Sequence, residues 1–127
     1  MKSRLARVVA GLGCVVLFVG AMFHLAVGYP LAAKAISASN LETGLQTGLR
    51  SSFLLLGCVW LMLAVIAMAG TLAGGRTGRA VVLFAGLGLL AQIPVWVGMM
   101  GWFVGNEMIL AASVLMVAGG LLLKSTS

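Results

Sequence analysis

From Val8 to Phe23 the chain carries no charged or strongly polar side chain. In an apolar solvent every backbone N–H and C=O must be satisfied within the protein, which restricts an isolated apolar run of this kind to a helix. Crossing a hydrocarbon core of about 30 Å takes roughly 20 residues. Three later stretches, at 51–73, 80–101 and 107–123, have similar length and character. Within 127 residues, four such helices and their turns leave no room for a separate soluble domain. The composition agrees: 62% of residues are hydrophobic and 8% charged, against about half and a quarter in soluble domains. The expected fold is all-α, an integral membrane four-helix bundle running up-down-up-down. It forms a single membrane domain over residues 1–127 with helices near 5–28, 51–73, 80–101 and 107–123.

Lys2, Arg4 and Arg7 before the first apolar run resemble the start of a signal peptide. The run is too long for a signal core of 7 to 15 residues, so it reads as a retained helix. Tyr29-Pro30 is expected to close that helix, because the residue before proline is biased away from helical geometry and tyrosine favours the membrane interface. The segment 29–50 then leaves the membrane. Within it Ser39 and Glu42 have the spacing of a capping box. Leu41, Leu45 and Leu49 recur every four residues, as do Glu42, Gln46 and Arg50 on another side. That pattern predicts an amphipathic outer helix between the first two spans, with its leucine row on lipid or on the bundle and its polar row facing water or a partner. It continues into the second span, and any site in the protein is expected to lie beneath it.

The run Gly74-Gly75-Arg76-Thr77-Gly78-Arg79 lacks the Gly-Lys-Ser/Thr ending of a phosphate loop and reads as a basic hairpin. Pro94 predicts a kink near 90–93. Placing the N-terminus, this hairpin and the C-terminus on one side gathers Lys2, Arg4, Arg7, Arg76, Arg79 and Lys124, six of the eight basic residues. The positive-inside rule makes that side cytoplasmic. The expected location is the inner membrane, multi-pass, with both termini cytoplasmic. Topology thus explains the net charge of +6 without a nucleic-acid partner. Cys14 and Cys58 fall about 10 Å from opposite membrane surfaces at 1.5 Å per residue, which is too far apart for a disulfide.

His24, the single histidine, sits about one turn inside the outer end of the first span. Ionisable residues at such depth tend to face the bundle interior or a cavity. Two readings follow: a histidine bonded to a carbonyl or carboxylate, or a ligand to haem or chlorophyll. Gly20 and Gly28 flank it at four-residue spacing and would let a neighbouring helix approach. Arg50 and Glu107 open the second and fourth spans at the outer boundary, where they can pair. A carboxylate there is also favoured by the helix dipole. Gln92 lies near mid-membrane, able to join helices by hydrogen bonds, with Trp96 just beyond it. His24, Arg50, Gln92, Trp96 and Glu107 all fall in the outer half and form the candidate ligand site. Gly20, Gly28, Gly101, Gly105, Leu41, Leu45 and Leu49 are candidate interface positions. The eight methionines show no repeated Met-xx-Met box and read as packing.

The basic start of the first helix, Pro30 at its outer exit, the outer segment leading to Arg50 and the acid Glu107 opening the last helix together resemble the layout of small bacterial four-helix membrane proteins of the DoxX-like group. The resemblance lies in layout over most of the chain and carries no catalytic residue. Small multidrug transporters share the size, but their membrane-embedded acid has no counterpart in the first helix. The expected function is a non-enzymatic integral membrane subunit or scaffold, with the lipid bilayer and a membrane-protein partner or a second copy as partners. Its outer half would hold a lipid, quinone or pigment. The alternatives are a small transporter or channel using Glu107, His24 and Gln92, and haem or chlorophyll binding through His24.

Overall fold

The computed structural model describes residues 2–123. Lys124, one of the basic residues assigned above to the cytoplasmic side, lies outside the described residues, as does the side chain of Lys2. The helices are α1 (Lys2–Phe23), a π-helical turn (His24–Gly28), α2 (Tyr29–Ser37), α3 (Thr43–Ala73), α4 (Gly75–Met100) and α5 (Val104–Leu122). Because α1, the π turn and α2 are continuous, they form four rods, each long and apolar enough to cross a membrane. The first rod packs between α3 and α5, and α4 closes the ring against the same two helices.

Small residues set how closely the rods approach. On α1, Ala6, Ala10, Cys14, Leu17 and Ala21 are buried along one face, at the spacing of three and four residues that keeps side chains on one side of a helix. Against α5, an added Cβ at Gly13 would stand 2.7 Å from Met116 Cγ, and one at Gly119 would stand 2.6 Å from Ala10 Cα. Gly86 and Gly120 receive Val117 and Leu83 where α4 meets α5, and Gly70 meets Gly78 backbone to backbone between α3 and α4. These contacts also fix the register: neighbouring rods are antiparallel, and Arg7 comes beside Gly74. Arg4, Arg7, Arg76 and Arg79 therefore share one end of the bundle. The α4–α5 turn and His24 share the other.

Several boundaries differ from those expected. The first helix does not close at Tyr29-Pro30; it runs on to Ser37. Proline lacks an N–H, and in α geometry its ring crowds the carbonyl four residues back. Here the turn before it widens, with the Tyr29 N–H donating to His24 O five residues away, and the helix passes through. The capping box does not form either. Ser39 Oγ donates to Ile36 O at 2.6 Å and so finishes α2, while Glu42 is the N-cap of α3 without a side-chain cap bond. Gln46 turns back to donate to Ser39 O and Leu41 O, which takes it out of the expected polar row and ties down the 38–42 connection. Leu41 precedes the helix, Leu45 is exposed and Leu49 is half-buried.

No separate outer helix exists. Residues 43–50 are the first two turns of α3, and they pack against α2. With 31 residues, α3 is about 46 Å long, against about 28 Å for the 19 residues of α5, so the α2–α3 hairpin rises past the α4–α5 turn. The basic hairpin shrinks to Gly74 (φ +66°), and Gly101 (φ +75°) ends α4; both are conformations that glycine alone adopts without strain. Pro94 lies within α4, whose helical course is unbroken from Gly75 to Met100.

Close glycine packing makes a direct expectation. Gly119→Ala drives a methyl into the Ala10 backbone and should cost about 1–3 kcal/mol. Gly88→Ala, at a glycine with open space around it, should leave stability unchanged. Denaturation of both variants in detergent, followed by circular dichroism, measures the difference.

Candidate functional site

At the end of the bundle bearing His24, the four rods separate around a cavity of about 230 Å³. Six rings line it: Phe23, His24, Phe53, Trp60, Trp96 and Phe103. Gly20, Gly28 and Gly105 are also in its wall, with Met108 and Ile109 from α5. Phe23, Phe103 and Val104 line it and are themselves exposed, so the mouth lies at their rim.

His24 is fixed on three sides. Its Nε2 lies 2.9 Å from Phe53 O; a carbonyl only accepts, so Nε2 carries the hydrogen. The imidazole lies parallel to the Phe53 ring, with 6.1 Å between centroids, and edge-on to Trp60 at 5.2 Å. Gly57 makes this approach geometrically feasible, since an added Cβ there would stand 2.8 Å from His24 Cδ2 and 2.6 Å from Leu25 Cδ2. Trp60 Nε1 in turn donates to Gln92 Oε1 at 3.3 Å. Gln92, Trp60, His24 and the Phe53 carbonyl thus link α4, α3 and the π turn.

Of the residues selected from sequence, His24, Trp96, Gly20, Gly28 and Gly105 line the cavity. Gln92 reaches its wall through Trp60. Arg50 and Glu107 do not line it, and they do not pair. Arg50 is exposed, and the Glu107 carboxylate, in the first turn of α5, accepts from Trp102 Nε1 at 3.1 Å. The 29–50 segment contributes no lining residue, so it stands beside the site rather than over it. Gly101 and Gly105 are not a helix-packing pair, because Gly101 precedes α5; Gly105 instead lies under the Phe103 ring.

Phe53, Gly57, Trp60 and Asn106 were not distinguished by sequence. Asn106 is 1% exposed. Its Nδ2 donates to Gly101 O at 2.9 Å, holding the turn that presents Phe103 to the cavity, while its Oδ1 is buried without a partner. A polar residue one place before an acid at a helix start was the available signal. Among the described residues no cluster of three His, Cys, Asp or Glu side chains is placed to hold a metal. In the other half of the bundle a second, more open groove between α1 and α3 is lined by apolar side chains and Cys14, whose sulfur lies 3.9 Å from Thr71 Oγ1. Both cysteines are free.

The Trp60–Gln92 bond is open to a double-mutant cycle. Gln92→Leu leaves a part-buried indole N–H without its acceptor and should destabilise by about 1–2 kcal/mol. Adding Trp60→Phe should cost less than on the wild-type background, with a coupling of about 0.6 to 1.7 kcal/mol, read from denaturation of the four proteins in detergent. No protein-family model, characterised protein or solved structure matches the chain, so the chemistry of the site alone carries the functional reading.

Proposed function

We propose that the protein is a non-enzymatic subunit of a bacterial inner membrane that holds a small, mainly apolar molecule from the lipid phase in its His24-end cavity. One observation carries this reading: a cavity of about 230 Å³, walled by aromatic and aliphatic side chains, in which His24 is the only ionisable residue. Ligand sites commonly have this form, a mostly apolar concavity with few placed polar groups. The gathering of Arg4, Arg7, Arg76 and Arg79 at the opposite end supports placing both termini in the cytoplasm, which puts the cavity in the outer leaflet. Large apolar side chains exposed on every rod suit contact with lipid and with membrane partners. Engagement of His24 Nε2 by the Phe53 carbonyl favours a hydrogen-bonded ligand over one coordinated through that nitrogen. A transport reading built on Glu107 draws no support from its position outside the cavity.

Gly20→Leu tests the proposal. A Cβ at Gly20 would lie 3.5 Å from Met108 Cε, an ordinary contact, so the rest of the leucine side chain would enter the cavity. Mass spectrometry of wild type and variant, purified from native membranes in mild detergent, should find a small apolar compound with the wild type and about tenfold less with the variant. Co-purifying membrane proteins should be unchanged. Equal recovery of every small molecule from the two proteins would contradict the proposal.

A further inference from the structure

We infer that the cavity selects an aromatic ring bearing a hydrogen-bond donor, a phenol-type hydroxyl, over rings of the same shape without one; this rests on the cavity being a ligand site. Size comes first. A dry apolar cavity of about 150 Å³ takes up benzene, so about 230 Å³ accommodates one ring with small substituents. The walls favour a flat ring, because aromatic pairs gain from offset-stacked and edge-to-face geometry beyond the area they bury, and Phe53, Trp60, Trp96 and Phe103 surround the space.

The donor requirement comes from His24. Its Nε2 hydrogen is committed to Phe53 O. In the neutral imidazole the other nitrogen, Nδ1, then carries a lone pair and no hydrogen. Among the described residues Nδ1 has no hydrogen-bond partner, and it lies beside Gly28, where an added Cβ would stand 3.6 Å away. Both residues line the cavity, so the missing side chain at Gly28 leaves Nδ1 approachable. A lone pair in an apolar wall accepts an O–H; it offers nothing to a ring that only accepts.

Three fluorinated probes of one shape class separate the possibilities: 4-(trifluoromethyl)phenol, which donates, 4-(trifluoromethyl)anisole, which only accepts, and 4-(trifluoromethyl)toluene, which does neither. Binding to the full chain in micelles is followed by fluorine NMR and corrected for partition into protein-free micelles. The phenol should bind about tenfold tighter than either other probe, and His24→Phe should remove that preference while the toluene still binds. Anisole or toluene binding as tightly as the phenol would overturn the donor requirement and leave the ligand site standing. Failure of all three to bind the wild type, with Gly20→Leu giving the same result, would overturn both. The comparison of probes on the wild type needs no variant to fold.

Discussion

The hydrogen bond from His24 Nε2 to the Phe53 carbonyl holds the cavity end of this bundle in place. It depends on two features far apart in sequence. Pro30 forces a widened turn, so His24 begins a π segment rather than another α turn, and such turns recur at functional sites. Gly57, one turn beyond Phe53 on α3, leaves the helix bare enough for the imidazole to lie against it. With the ring fixed there, Trp60 meets it edge-on and Gln92 holds Trp60 from α4. His24 Nε2, Trp60 Nε1 and Gln92 Oε1 are thereby committed, whereas His24 Nδ1 and Asn106 Oδ1 have no partner among the described residues.

The two halves of the bundle are packed by different means, and that difference creates the cavity. Towards the arginine end, glycine and alanine let the rods meet almost backbone to backbone, as at Gly119 with Ala10 and Gly70 with Gly78. Close van der Waals contact between small residues is what joins the helices there. Towards the His24 end, the rods carry Phe23, Phe53, Trp60 and Trp96, and the α4–α5 turn carries Phe103. Rings of that size cannot interdigitate in the space that glycines leave, and the rods part around a hollow. The Asn106 bond to Gly101 O then fixes the α4–α5 turn at its rim.

The four rods were legible in the sequence because each is a long apolar run, enough to cross a membrane, and that signal is local. The second half of the 29–50 segment was legible as a helix continuous with α3 because its leucines recur every four residues and no proline separates it from the second span. Pro30 misled because its usual effect, ending an α-helix, was avoided by a change of helix type that no sequence pattern announces. Ser39 and Glu42 had capping-box spacing, but Ser39 serves the helix before it. His24, Trp96, Gly20 and Gly28 could be selected as unusual residues at one depth. Phe53, Gly57 and Trp60 could not, since their importance depends on the register of α3 against the first rod. Arg50 and Glu107 share that depth, yet depth alone does not say which way a side chain faces.

The most direct measurement of the central claim uses the fact that His24 is the only histidine. Nitrogen-15 NMR of the histidine-labelled protein in bilayers reports which ring nitrogen carries hydrogen, with no assignment ambiguity. A hydrogen on Nε2, shifted by its bond to the Phe53 carbonyl, and a bare Nδ1 are the expected result. A hydrogen on Nδ1 with Nε2 bare would contradict it.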